Sequence, residues 1–152
     1  MKKQVLAILL ASTMLCACGE KGYENQHDLS AGTSKEDVIS EMDKKPKEEN
    51  STSNTETASY DDEEYCGHKG TMTYYFSQKK LTLTQWDTTA KDEKECQDIY
   101  NDIKDKLNQK YGNGNSNGDE NNYSWITEEK QVTLSCDLTT FQVKAVEFNT
   151  AS

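Results

Sequence analysis

Between Asp92 and Gly112 the chain carries one long helical pattern with a single apolar stripe, and that stripe limits what the rest can build. Cys96, Ile99, Tyr100, Ile103 and Leu107 recur at i, i+3, i+4 and i+7 spacing. Asp92 can cap the helix with Glu95 as its partner, and Gly112 supplies a left-handed stop. Asp98, Asn101, Asp102 and Lys106 form the opposite, solvated face. One stripe of this width covers one face of a sheet and no more. The spacing therefore predicts a helix over about 92–111 lying on a sheet whose strands come from both sides of it.

Alternation supplies those strands. Thr71 to Phe76 places Met72, Tyr74 and Phe76 on one face, Gln78-Lys79-Lys80 turns the chain, and Leu81 and Leu83 carry the alternation on to Trp86. A weaker strand precedes this hairpin around Ser59 to Cys66. After an Asn/Gly loop come Tyr123 to Thr127, a Glu128-Glu129-Lys130 turn, and Gln131 to Cys136 with Val132, Leu134 and Cys136 aligned. Leu138-Thr139-Thr140 then leads into Phe141 to Phe148. There Phe141, Val143 and Ala145 alternate before Val146 and Phe148 take the other face, which predicts either a bulge or a strand covered on both sides. The pattern gives an α+β fold: an antiparallel meander of about five to six strands, with the long helix on one face. The order α-β-β-β-α-β-β-β has the look of a faint twofold repeat.

The N-terminus reads as an export signal. Met1-Lys2-Lys3 is a charged start, and Val5 to Leu15 is an apolar core within the secretory range of ~7–15 residues and short of the ~20 that a spanning helix needs. Ala17 is a small residue directly before Cys18. Leu15-Cys16-Ala17-Cys18 resembles the lipobox of bacterial lipoproteins, which implies cleavage between Ala17 and Cys18 and acylation of Cys18. Residues 1–17 are then signal peptide. Residues 18–32, polar and without apolar periodicity, read as the lipidated cysteine and a tether whose ~14 flexible residues reach only ~20 Å. Two or more acyl chains hold a protein where one is marginal. The expectation is a protein anchored through lipid on the extracytoplasmic face of the cell membrane.

The remainder, 33–150, has room for one small domain. Thr33 and Glu36 form a T-x-x-E capping box, and Val38 and Met42 fall on one face, so a short helix is predicted over about 34–42. Pro46 ends it. A helix this short must dock or stay disordered. Residues 44–57 are polar and low in complexity and are expected to form a loop.

Charge excludes several functions. The formal net charge is −10, and removal of residues 1–17 would take Lys2 and Lys3 and no acid, bringing it to −12. There is no Arg. Nucleic acid binding needs clustered cations facing phosphates, so none is expected. An anionic lipid surface would repel the body, leaving the lipid on Cys18 as its anchor.

Chemistry is sparse. Cys66, Cys96 and Cys136 remain in the exported body, enough for one disulfide with one thiol left over, and spacing leaves the pairing open. Cys66-Gly67-His68 has no second pair to complete a zinc site, and in a turn nothing fixes the geometry of His68 beside Cys66 for nucleophilic catalysis. Asn113 to Asp119 imitates the opening of a calcium loop, with Gly118 at the sixth position, but Ser124 stands where a bidentate Glu is required. Asp61-Asp62-Glu63-Glu64 alternates faces in a strand and defines no cleft. No enzyme activity, metal or cofactor is expected.

A second resemblance concerns the body. Gly32-Thr33-Ser34-Lys35-Glu36-Asp37-Val38 resembles the G-x-[ST]-x-x-x-V opening of the SmpA/OmlA (BamE-like) lipoproteins and of domains similar to β-lactamase inhibitory protein. Thr73 to Phe76, Lys110-Tyr111-Gly112 and the Trp125 strand are similar to small Gram-positive lipoproteins of that αβββ plan. The Gly-x-Pro that usually ends the first helix is absent, with Asp43 ahead of Lys44-Lys45-Pro46. The resemblance implies a non-catalytic interaction module.

On the alternation, Tyr75 lies opposite Met72 and Phe76, and Trp86 lies opposite Leu81 and Leu83. If one side of the sheet is bare, Tyr75 and Trp86 form a candidate face for a protein or peptide partner; otherwise the short helix or the loop covers them. The alternative function is a protein inhibitor of an exported enzyme such as a cell-wall hydrolase. Tyr65-Cys66-Gly67 before an alternating strand is superficially similar to lysozyme-inhibitor lipoproteins, all-β barrels from which the long helix departs.

Overall fold

The computed structural model describes residue 27, residues 29–116 and residues 118–149. The signal segment, Ala17 and Cys18 lie outside the described residues. Within them the chain runs α1 (Lys35–Glu41), β1 (Glu48–Ser51), β2 (Thr55–Tyr65), β3 (His68–Ser77), β4 (Lys80–Thr89), α2 (Glu93–Tyr111), β5 (Asn115–Ser116), β6 (Asn122–Ile126), β7 (Lys130–Asp137) and β8 (Gln142–Asn149). All strands join one antiparallel sheet in the order β1-β2-β3-β4-β8-β7-β6-β5. The class is the expected α+β, but the sheet has eight strands where the alternation predicts five to six. The two added strands, β1 and β5, are short and exposed throughout. They are held by ladder hydrogen bonds and, for β1, by the Lys35–Glu49 ion pair at 3.1 Å, so no apolar alternation announces them. β1 also corrects the expectation of a loop over 44–57, pairing with β2 from Glu48↔Ser59 to Ser51↔Glu56.

The topology is a helix followed by four strands, twice, with the last strands of the halves, β4 and β8, meeting at the centre. The same strap precedes each helix. Gly32 N donates to Leu81 O and Leu81 N to Thr33 O beside the β3–β4 turn, while Ala90 N donates to Phe141 O in the β7–β8 turn. The faint repeat in the sequence is thus a repeat in the backbone.

Helix α1 starts one residue later than the Thr33–Glu36 pattern predicts. Ser34 is the cap: its Oγ accepts from Asp37 N and donates to the Asp37 carboxylate. Thr33 instead donates its hydroxyl to Ser30 O within the strap. Seven residues cannot hold a helix in water; burial of Val38 and Met42 does so here, with Tyr74 Oη donating to Met42 Sδ. The helix is docked. The end of the expected tether is docked too, since Leu29 packs against the core.

Helix α2 begins as its sequence predicts, with Glu95 N donating to Asp92 Oδ1 and Lys91 N to Glu95 Oε2. It buries Cys96, Tyr100, Ile103 and Leu107 against the second half of the sheet. A Cys96–Cys136 disulfide ties its first turn to β7; Cys66 is outside that bridge and buried. Stacked Tyr65 and Trp86 and the edge-on pair Tyr60–Tyr74 fill the core under the first half.

Two irregularities decide which side chains reach that core. In β2 the register shifts between Tyr60 and Glu63, and Asp62 takes a φ of 60°. In the β3–β4 pair, Tyr75 opposes Leu83 while Phe76 opposes Leu81, leaving Thr82 as an extra residue whose hydroxyl donates to Tyr75 O. Such a bulge inverts the facing of everything beyond it. β8 has no such break: its pairing with β7 runs unshifted from Lys130↔Asn149 to Asp137↔Gln142. It is a regular strand, apolar on both faces, where a bulge or double cover was expected.

Candidate binding face

Both helices and the N-terminal strap lie on one side of the sheet. The described residues leave the other side bare. Directly paired residues on antiparallel strands point the same way, so the register reads this face off row by row. The first row runs Thr57, Tyr75, Leu83, Phe148, Gln131, Ile126 across six strands. The next runs Ser59, Thr73, Gln85, Val146, Thr133, Ser124. None of these positions is charged, in a chain whose residues are 29% charged. A third row holds Thr71, Asp87, Lys144, Ser135 and Asn122, with Asp61 at its end accepting from the Thr71 hydroxyl at 2.9 Å. Lys47 pairs with Asp61 at 2.6 Å and is the first cause of the lowered pKa of that carboxyl.

Phe148 and Ile126 are the large apolar side chains most open to solvent among the described residues, at 43% and 70% exposure, and both stand in the first row. Tyr75, Leu83 and Val146 are half-buried around them. Apolar and uncharged side chains fill the first two rows, and the charges of this face, Asp61, Asp87 and Lys144, stand in the third; an uncharged area with exposed aromatic and aliphatic groups is a candidate contact surface.

Of the two residues expected to form this face, the structure keeps one. Tyr75 is on it. Trp86 is on the opposite side, 1% exposed, stacked on Tyr65 and donating Nε1–H to Glu63 O at 3.3 Å. The Thr82 bulge is the reason: it separates Leu81, which is core, from Leu83, which is not, and returns Trp86 to the core side. Phe148 and Val146 had a signal in the sequence, the second apolar phase of their strand. Ile126 had none, standing alone before a polar turn.

The other chemistry-bearing residues make contacts within the fold. His68 Nε2 contacts Asp102 Oδ2 at 2.6 Å, and Lys106 holds the same oxygen at 2.6 Å while donating to Cys66 O. This clasp fixes the β2–β3 turn to α2. Lys106 first, then His68, keep the Asp102 carboxyl below its usual range. The acidic run 61–64 is dispersed by the β2 bulge. Glu63 turns into the core side, where Lys44 and His27 (3.4 Å) pair with its carboxylate. The loop that imitates a calcium site contains the two-residue strand β5, and Gly114 lies against the Trp125 indole. No group of three or more His, Cys, Asp or Glu side chains among the described residues is arranged to hold a metal. No described helix is long and apolar enough to cross a membrane.

Comparison with protein-family models, with curated proteins and with solved structures gave no match for this chain.

Proposed function

We propose that this chain is a non-catalytic interaction module, held by lipid on Cys18 at the extracytoplasmic face of the cell membrane, which docks a protein or peptide on its bare sheet face. The observation that carries the docking half is the pair of uncharged rows centred on Leu83 and Phe148. A strongly acidic chain with no use for this surface would place charge on it. The anchoring half rests on Leu15-Cys16-Ala17-Cys18 and on the acidic, Arg-free composition of the chain, which an anionic membrane would repel. The resemblance of Gly32 to Val38 to the SmpA/OmlA opening points the same way, toward binding without chemistry, while each half of the sheet has four strands where the αβββ plan has three.

Each half has its own test. Cys18→Ser should move the protein out of the membrane fraction with its fold unchanged; retention in the membrane would overturn the anchor. Phe148→Asp combined with Ile126→Asp should abolish co-purification of partners from cross-linked envelopes, with an unchanged circular dichroism spectrum. Equal recovery by the variant would overturn the docking face.

A further inference from the structure

We propose that the occupant of the bare face is a second copy of this chain, packed face to face about a twofold axis that runs parallel to the strands between β4 and β8. This rests on reading that face as a docking surface, and it adds the partner and the geometry. Each copy carries a formal charge of −10, or −12 without residues 1–17, so two copies repel over most orientations. The uncharged rows allow them close approach.

The face is also polarised along the rows. Within its three rows the acids are Asp61 on β2, which Lys47 pairs at 2.6 Å, and Asp87 on β4, and Glu48 on β1 extends the second row beside Ser59, so this half keeps a net negative charge. The β6–β8 positions of the same rows carry Lys144 and no acid. Asp137 stands one row further on, its carboxylate taken up by the Thr139 and Thr140 N–H groups. An axis along the strands lays the acidic half of one copy over the acid-free half of the other. An axis along the rows would instead lay the acidic half of each copy over the acidic half of the other.

The chosen axis makes the centre self-complementary. Leu83 and Phe148 are cross-strand neighbours on either side of it, as are Asp87 and Lys144. Turning one copy over puts each Leu83 against the other copy's Phe148, and each Asp87 against the other copy's Lys144. Both contacts occur twice, as an isologous pair requires. Sheets that stack this way keep their strands within ~30° of one another.

Size sets the strength. Six strands ~4.8 Å apart and three rows ~7 Å apart span roughly 24 Å by 14 Å between the outermost positions, about 500 Å² per copy once the side chains at the margin are included. About 1,000 Å² per pair is at the lower limit for a specific interface. The pair should therefore be weak in dilute solution and favoured where anchoring raises the local concentration.

The test uses the full chain in membranes of an expressing strain, with a photo-crosslinking residue at 148. The expected product has twice the chain mass and is joined to residue 83 or its neighbours in the second copy. Asp87→Lys alone should lose it, because two lysines then face two lysines, and Lys144→Asp alone should lose it for the mirror reason. Co-expressing the two variants, one carrying the photo-residue and the other a distinguishing tag, should restore a mixed product. Only contacts between copies can be rescued in that way. A single variant that still pairs, or a mixture that does not, overturns the arrangement. A cross-link to some other protein, without self-product, overturns the second copy and leaves the docking face standing. No product of either kind would remove both.

Discussion

Leu81 and Leu83 are two residues apart in one strand and lie on opposite faces of the sheet. Leu81 is 1% exposed against Phe76, while Leu83 pairs with Tyr75 and Phe148 on the bare side. Thr82, the extra residue between them, separates a core position from one on the bare face.

That division predicts two classes of substitution. Leu81→Ala and Trp86→Ala remove buried groups and should each cost about 2–5 kcal/mol in urea unfolding. Leu83→Ala and Tyr75→Ala remove half-buried groups and should each cost roughly 1 kcal/mol or less while weakening association. Equal losses at 81 and 83 would contradict the bulge.

Gly70 and Gly114 are each pressed against a tryptophan. A Cβ at Gly70 would lie 2.4 Å from Asp87 O and 2.6 Å from Trp86 Nε1; one at Gly114 would lie 2.7 Å from Trp125 Cε2 and 2.9 Å from Ser124 O. Neither backbone nor a packed indole can yield that distance cheaply. Gly70→Ala should therefore destabilise by ~2 kcal/mol or more. Gly114→Ala, beside the short edge strand β5, should cost less and quench or shift Trp125 fluorescence. Urea midpoints with intrinsic fluorescence separate the two.

Much of this architecture was legible in the sequence, and the illegible parts share a cause. The long helix, the β3–β4 hairpin and strands β6 to β8 announce themselves because burial imposes a period on apolar residues. Ser34 was hidden behind Thr33, an equally good cap one residue earlier. β1 and β5 bury nothing, so polar residues such as Glu48 and Asn115 carry no periodic mark. The facing of Trp86 depends on Thr82, and no residue type signals a bulge there. Half of the candidate face was consequently misassigned, while Phe148 and Val146 were visible only as a change of phase.

The Cys96–Cys136 bridge closes a sequence separation of 40 residues. On the chain-entropy account a loop of that length contributes about 4 kcal/mol, and native domains typically lose ~2–5 kcal/mol without such a bridge. Cys96→Ala with Cys136→Ala should lower the urea midpoint accordingly, and a reductant should do the same to the unaltered protein. Cys66→Ala should leave the reductant response in place. A reductant effect that vanishes with Cys66 instead would mean a different pairing.

The two ends of the pH range report on different clasps. Asp102 is held below the usual carboxylate range by Lys106 and His68, so its contribution is present above about pH 4 and is lost as pH falls through its lower folded value. Asp102→Asn should flatten that acid limb. At the other end, burial pushes the Tyr100 hydroxyl up to about 12, and it donates to Glu120 O at 2.9 Å. An unfolded tyrosine ionises near pH 10. Tyr100 therefore stabilises the fold fully below pH ~10 and ceases to do so as pH rises through about 12. Tyr100→Phe deletes the ionisable group and should reduce the loss of stability between pH 10 and 12, at a modest cost at neutral pH for the hydrogen bond. Ultraviolet titration of phenolate absorbance should show a late-titrating component that the substitution removes. If that component titrated near pH 10 with the fold intact, the hydroxyl would be open to water and the packing of α2 over residues 119–123 would be wrong.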